Sequence, residues 1–356
     1  MPLNALDTEK MDNTKVIQRE KEIILDVKNL KIKFLTDEGT VHAVNGVDFK
    51  VESGGSVGIL GESGCGKTIT AYSILQILPR VKKIVTGQIN FKTKDGRIQD
   101  LLKLEADGKE IRKIRGKEIS MIFQEPMTAF SPVYTVCNQI SEALMIHQDM
   151  DKIAARERSI KLLDLVGIPD AKRAVDSYPF QLSGGMRQRA MIAMALACNP
   201  RILIADEPTT ALDVTIQAQV LKLIKSIQKE FNLSLILITH NLGVIAHMVE
   251  HVYVMYLGKI VEEGPVIEIF DNPSHPYTKA LFKSIPKLSG NKEKIHPIEG
   301  NVPDAYVLPS GCTFHPRCKE MVGDICRLKI PGQTKISENH YVNCFKYSNE
   351  EIIENV

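Results

Sequence analysis

The residues that could do chemistry begin at Gly61-Glu62-Ser63-Gly64-Cys65-Gly66-Lys67-Thr68, which matches G-x-x-x-x-G-K-[ST] at every fixed position. A short apolar run, Ser56 to Leu60, precedes it, and an apolar-periodic stretch, Thr68 to Leu78, follows. Strand, glycine loop and helix in that order make a phosphate cradle. The glycines let successive N–H groups curl around an anion, and the helix N-terminus adds a partial positive charge. Lys67 can reach β- and γ-phosphates, and Thr68 can ligate Mg²⁺. Cys65 occupies a variable loop position as a small filler with no catalytic role.

A second constellation is Arg201-Ile-Leu-Ile-Ala-Asp206-Glu207-Pro208, an apolar strand ending in adjacent carboxylates. Neighbouring side chains on a strand point to opposite sides, so Asp206 can serve a Mg²⁺ shell while Glu207 faces an attacking water. A third is Leu182-Ser183-Gly184-Gly185-Met-Arg-Gln188-Arg189, a serine and two glycines that open a helix running through Cys198. Four cysteines, Cys312, Cys318, Cys326 and Cys344, crowd into 33 residues near the C-terminus, whereas Cys65, Cys137 and Cys198 are scattered.

The elements that must position these residues follow from periodicity. Ile23 to Phe34 and Val41 to Val51 alternate apolar and polar residues around the turn Thr36 to Gly39, which predicts an antiparallel strand pair. Arg201 to Ala205 and Leu233 to Thr239 are short apolar runs separated by a helical stretch, Thr215 to Glu230, as in buried parallel strands with a crossover helix. Between Gln124 and Pro179 the pattern is helical, with amphipathic spacing in Val136 to Ile146 and Ile153 to Val166. After Gly264, prolines at 265, 273, 276, 286, 297, 303, 309 and 316 break the chain into a loop-rich unit. The expected division is a loose arm over residues 1–22, an α/β domain over 23–270 with a helical subdomain over 125–180, and an extension over 271–356.

Composition narrows the partners. Forty-five basic against 43 acidic residues leave a net charge of +2, which gives nucleic acid no electrostatic footprint. No apolar run reaches the roughly 18 to 20 residues that cross a bilayer, and the polar start from Met1 to Lys21 has no secretory h-region. A soluble, intracellular chain is expected. Seven cysteines without a secretion signal point to free thiols or metal ligands rather than a disulfide framework.

Taken in order, these motifs resemble the nucleotide-binding subunits of ABC transporters over about Ile23 to Ser289. The resemblance implies a P-loop fold with a mixed sheet, an antiparallel β subdomain and a helical subdomain, and ATP hydrolysis with Mg²⁺. Glu62, Ser63, Gly64, Cys65, Gly66 and Ile69 then line the nucleotide together with Gly61, Lys67 and Thr68. Ser183, Gly184, Gly185 and Gln188 become the signature segment that meets the partner's γ-phosphate in a head-to-tail dimer with a second ATPase, identical or paralogous. Gln124 resembles the Q-loop glutamine, a ligand of Mg²⁺ and the attacking water. Asp213 resembles the D-loop acid, and His240 the switch histidine at a strand's C-terminal end. Phe34 aligns with the adenine-stacking aromatic. Lys67, Gln124, Glu207 and His240 form the implied catalytic set. Thr128-Ala-Phe130-Ser131-Pro132 departs from related importers, which carry a leucine then an asparagine before the proline.

Asn272-Pro-Ser-His275-Pro276-Tyr277-Thr278 resembles the stretch that follows the ATPase core in dipeptide, oligopeptide and nickel importers. That places the chain at the cytoplasmic face of a membrane, with two permease subunits and, indirectly, an extracytoplasmic solute-binding protein as partners. Gly311-Cys312 through Cys344 looks like the cysteine-bearing extension of some of those subunits. Spacings of five, seven and seventeen residues lack the short zinc knuckle, so a [4Fe–4S] cluster ranks ahead of Zn²⁺ and unligated thiols come third; His275 and His315 are alternative ligands, of which His315 reads better as a loop histidine.

Overall fold

The computed structural model describes residues 22–210, 212–284 and 298–348. The expected N-terminal arm lies outside the described residues except for Glu22. Two sheets carry the architecture. The first is antiparallel, in the order β2-β1-β4-β5, from β1 (Ile23–Thr36), β2 (Gly39–Glu52), β4 (Lys83–Lys92) and β5 (Ile98–Asp100). The anticipated hairpin is present, with Phe34 opposite Val41 and Thr36 opposite Gly39. Its alternation buries Leu25, Val27, Leu30 and Ile32 on one face.

The second sheet has eight strands in the order β11-β12-β10-β9-β3-β8-β7-β6. Here β3 is Ser56–Leu60, β6 Ile119–Ile122, β7 Ile202–Asp206, β8 Ser234–Thr239, β9 His251–Tyr256, β10 Lys259–Pro265, β11 Thr334–Lys335 and β12 Tyr341–Val342. The pairs β9·β3, β3·β8, β8·β7 and β7·β6 are parallel, and those toward β11 are antiparallel. Strands β3, β6, β7 and β8 are buried throughout, as continuous apolar runs of a parallel sheet require. The crossover helix Val214–Phe231 buries Val220, Ile224 and Ile227 along one stripe.

The helical insertion consists mainly of Val136–Gln148, capped by Thr135, and Lys152–Leu165, capped by Asp151, whose carboxylate accepts the N–H groups of Ile153 and Ala154. Ile140, Leu144, Leu162 and Leu163 join them to the core that also holds Leu203, Leu235 and Leu237. Past residue 270 the chain folds back onto this body. Helix Pro276–Lys283 puts Tyr277 and Leu281 in the same core, where Phe314 packs edge-on to Tyr256 with ring centroids 5.2 Å apart. Strand β12 pairs with β10, Glu262 opposite Val342, so the extension lengthens the central sheet.

Candidate nucleotide site

Four of the motifs meet because their strands are neighbours and parallel. β3 delivers the glycine loop, β8 His240, β7 Asp206 and Glu207, and β6 leads to Gln124, all at the same edge of the sheet. The carboxyl ends of parallel strands are where open α/β sheets place ligands.

The loop from Gly61 to Gly66 has no room for side chains at its ends. A Cβ on Gly61 would stand 2.2 Å from the Met255 carbonyl oxygen, and one on Gly66, at φ +102°, 2.3 Å from that of Ala43. Gly66 caps helix Lys67–Ile74 in the left-handed region without a side-chain acceptor, so the first-turn N–H groups remain open to an anion. Lys67 is buried, and its Nζ donates to the carbonyls of Gly61 at 2.8 Å and Glu62 at 2.9 Å. Those contacts hold the ammonium inside the loop. Burial pushes the Cys65 thiol up despite the neighbouring Lys67, which keeps it protonated and inert.

The two carboxylates at the end of β7 are driven apart in acidity. Asp206 is fully buried, and neither carboxylate oxygen has a hydrogen-bond partner. Burial raises its pKa to about 6, and the nearby Thr68 hydroxyl and Lys67 offset only part of that. An orphaned buried carboxylate beside a threonine hydroxyl is a donor set that suits Mg²⁺. Glu207 sits at φ +44°, which turns its side chain out of the strand and into a web of donors. His240 Nδ1 lies 2.9 Å from Oε1, while Thr210 Oγ1 at 2.9 Å and Gln124 Nε2 at 3.3 Å donate to Oε2. Burial alone would raise the Glu207 pKa; the bonds from His240 and Thr210 and the charges of His240 and Lys67 outweigh it and leave it lowered. The pair therefore divides into a carboxylate waiting for a cation and one kept ionised.

The remaining residues fall elsewhere. Ser183 caps helix Gly184–Leu196 by accepting the Met186 N–H, and Ser183 and Gly184 are exposed. Gln188 is buried, its amide donating to the Pro208 carbonyl at 2.6 Å, so it anchors the signature helix to the segment after Glu207. Asp213 caps Val214–Phe231 by accepting the Ile216 N–H. Phe34 is 8% exposed inside the core of the antiparallel sheet, which leaves its ring little face to offer a base. Tyr306, which sequence reasoning passed over, lies beside that hairpin's tip: its hydroxyl donates to Glu38 at 3.2 Å, and the His42 N–H donates to the Ala305 carbonyl.

Cys312, Cys318, Cys326 and Cys344 are free thiols, the first two half-buried and the last two buried. Cys344 is raised to about 11, first by burial and then by the proximity of the other three. Among the described residues no three Cys, His, Asp or Glu side chains stand close enough to share an ion, so the thiols do not form a preassembled metal centre. His275 is also not a ligand here: its Nδ1 caps its own helix by accepting the Tyr277 N–H. His315 turns Nδ1 to the Cys312 carbonyl.

Arg317, between two of those cysteines, is a site residue that the sequence reading missed. It reaches across to Glu62 of the glycine loop. An arginine inside a Cys-x₅-Cys segment was the available signal, overshadowed by the thiols.

Comparison with known proteins agrees with this geometry. Residues 44–210 match the family model described as ABC transporter, and residues 261–326 match the oligopeptide/dipeptide transporter C-terminal region. The chain is 51% identical over 326 residues to the dipeptide transport ATP-binding protein DppD of Bacillus subtilis, covering 91% of this chain and 95% of that protein. It is 44% identical over 322 residues to the oligopeptide transport ATP-binding protein OppD of Haemophilus influenzae, covering 90% and 97%. A dimeric post-hydrolysis ATP-binding cassette bound to ADP and phosphate superimposes with a TM-score of 0.59 at 27% identity, covering 68% of this chain and 99% of that one. The chain belongs to the ABC transporter ATPases, in the branch that carries the oligopeptide/dipeptide C-terminal region.

Proposed function

We propose that this ATPase powers the import of dipeptides or oligopeptides through permease subunits at the cytoplasmic face of a membrane, with an extracytoplasmic solute-binding protein upstream. The observation that carries the reading is the strand-edge cluster in which Glu207 is held by Gln124, Thr210 and His240 beside the orphaned Asp206. The C-terminal region and the names of the relatives supply the peptide class.

In the mechanism that fits, the glycine loop and the N-terminus of Lys67–Ile74 bind the phosphates, and Lys67 swings from the loop carbonyls onto the β- and γ-phosphate oxygens. Thr68, Asp206 and Gln124 would hold Mg²⁺, which offsets charge on the phosphate oxygens. Glu207, kept ionised, takes the proton of the water that attacks the γ-phosphorus as the bond to the β-phosphate oxygen breaks. His240 orients Glu207 and contacts the γ-phosphate. Ser183 and Gly184, exposed at a helix N-terminus, and half-buried Gly185 close over the γ-phosphate of a second ATPase, identical or paralogous. Asp213 lies at that junction. The adenine end falls to Tyr306 at the hairpin's tip, since the buried Phe34 ring offers a base little face. Among the described residues no helix is long and apolar enough to cross a membrane, so the spanning path belongs to partners. The helical insertion offers them exposed Met127, Val133 and Tyr134, which follow Gln124 closely in sequence, and exposed Phe180 at its far end.

The division that fits is an ATPase domain over 23–270, with its helical subdomain over 125–180, and an extension over 271–356. In that extension we infer a [4Fe–4S] cluster on Cys312, Cys318, Cys326 and Cys344, with Zn²⁺ as the alternative; four free thiols within each other's field support it. The thiols must draw together to bind it.

The test is Glu207→Gln in the chain assembled with its permeases. Hydrolysis should fall by about 100-fold or more while Mg·ATP affinity stays within a fewfold. Near-normal hydrolysis would refute the assignment. Anaerobic purification with metal analysis decides the cluster: roughly four irons per chain and a broad band near 400 nm are expected, and a colourless, iron-free and fully folded protein removes it.

A further inference from the structure

Glu62, the second residue of the glycine loop, is gripped by the C-terminal extension. Its backbone N–H donates to the Tyr277 hydroxyl at 3.0 Å. Its carboxylate takes two bonds from the Arg317 guanidinium, Nη1 to Oε2 at 2.9 Å and Nη2 to Oε1 at 3.3 Å. The Arg317 side chain is 4% exposed, against 25% for Glu62. Its other donors end on the carbonyls of Glu299 at 3.1 Å and Ile298 at 3.3 Å and on the Tyr256 hydroxyl at 3.5 Å. The planar fork is thus fixed on every side, an arrangement a lysine could not reproduce.

A carboxylate in a loop whose amides must cradle a polyanion repels that polyanion unless it is neutralised. Arg317 cancels that charge. We propose that Arg317 neutralises Glu62 beside the phosphate loop, making nucleotide affinity dependent on the C-terminal segment between Cys312 and Cys318. This rests on reading residues 61–68 as the ATP loop.

The experiment is a cycle of wild type, Arg317→Gln, Glu62→Gln and the double variant. Mg·ADP binding is measured by calorimetry, ATP turnover is measured in parallel, and thermal unfolding confirms folding. Arg317→Gln should weaken Mg·ADP binding and raise the KM for ATP by about tenfold, with kcat within about threefold, because Glu62 is left unpaired. The double variant should recover affinity to within about threefold of wild type, since the repelling charge is gone. A folded Arg317→Gln that binds within twofold of wild type overturns the proposal, as does a double variant no tighter than Arg317→Gln. Glu62→Gln alone reads the same charge without touching Arg317, so it decides the matter if Arg317→Gln does not fold. Binding equal to or tighter than wild type is expected, and weakening beyond about threefold overturns the proposal. Lys67→Ala serves as the separate control: if wild type does not bind Mg·ADP, or Lys67→Ala binds as wild type does, the ATP-loop reading fails instead.

Discussion

Glu207 and Asp206 are chain neighbours with opposite fates, and the cause is the number of donors each meets. Asp206 ends a buried strand and finds none, so burial sets its acidity; Glu207 leaves the strand at positive φ and meets three side chains. His240 supplies the largest of the influences that lower the Glu207 pKa. Replacing His240 with alanine removes it, so the Glu207 pKa rises. Since the carboxylate must be ionised to accept a proton, the acid limb of the hydrolysis profile should move to higher pH. Turnover measured from pH 5 to 9 for wild type and His240→Ala checks this; an unshifted acid limb would show that Glu207 is not the titrating base. The same residues explain what sequence could reveal. Glu207 and His240 stood at strand ends and Lys67 at the close of a glycine loop, in a readable order, whereas the burial of Phe34 and the anchoring of Gln188 depend on partners far along the chain.

At the scale of elements, legibility followed local periodicity. The hairpin, β3, β7, β8 and the crossover helix have strong patterns, and each lies within a few residues of its expected bounds. Strands β4, β6, β9 and β10 were not anticipated. β4 is mostly exposed along Lys83 to Gln88 and shows no alternation, because only its end packs on the core. β9 and β10 are joined by Leu257 and Gly258, both at positive φ, a two-residue turn in which leucine takes the place where asparagine usually signals a hairpin. The extension was expected to be a small separate unit of loops. Its aromatic residues Tyr277 and Phe314 instead enter the main core, a pairing that no short-range pattern could disclose.

For the whole molecule, the seam between the body and the extension runs through Glu262 on β10. This buried carboxylate accepts the N–H groups of Ser274 at 2.6 Å and His275 at 2.9 Å and pairs with His340 at 2.8 Å. His275, fully enclosed at this seam, has its pKa pushed down to about 4 by burial, with Lys279 adding to the shift and Glu262 opposing it. A histidine so depressed stays neutral in the folded chain and charges in the unfolded one. Its contribution is therefore complete above pH 6.5 and is lost on acidification toward pH 4, by roughly 1 kcal/mol for each pH unit. Urea unfolding at pH 7, 6 and 5 should show this loss in wild type and a shallower one in His275→Asn, which retains a cap for Tyr277; identical slopes in the two proteins would exclude His275 as the acid-sensitive group.

The eight-stranded sheet ends at β11, only two residues long, beyond the equally short β12, and at its other side at four-residue β6. A sheet built to assemble with other subunits carries the risk of pairing with the wrong strand, and truncated borders are a standard defence against it. The hairpin at Thr334 to Val342 therefore acts as a bumper: it pairs with β10 at Glu262 and Glu263, whose backbone groups would otherwise stand at an open edge. A chain shortened before Thr334 would keep its nucleotide loop and lose that shield. Its characteristic failure would be edge-to-edge association into insoluble material rather than loss of ATP binding.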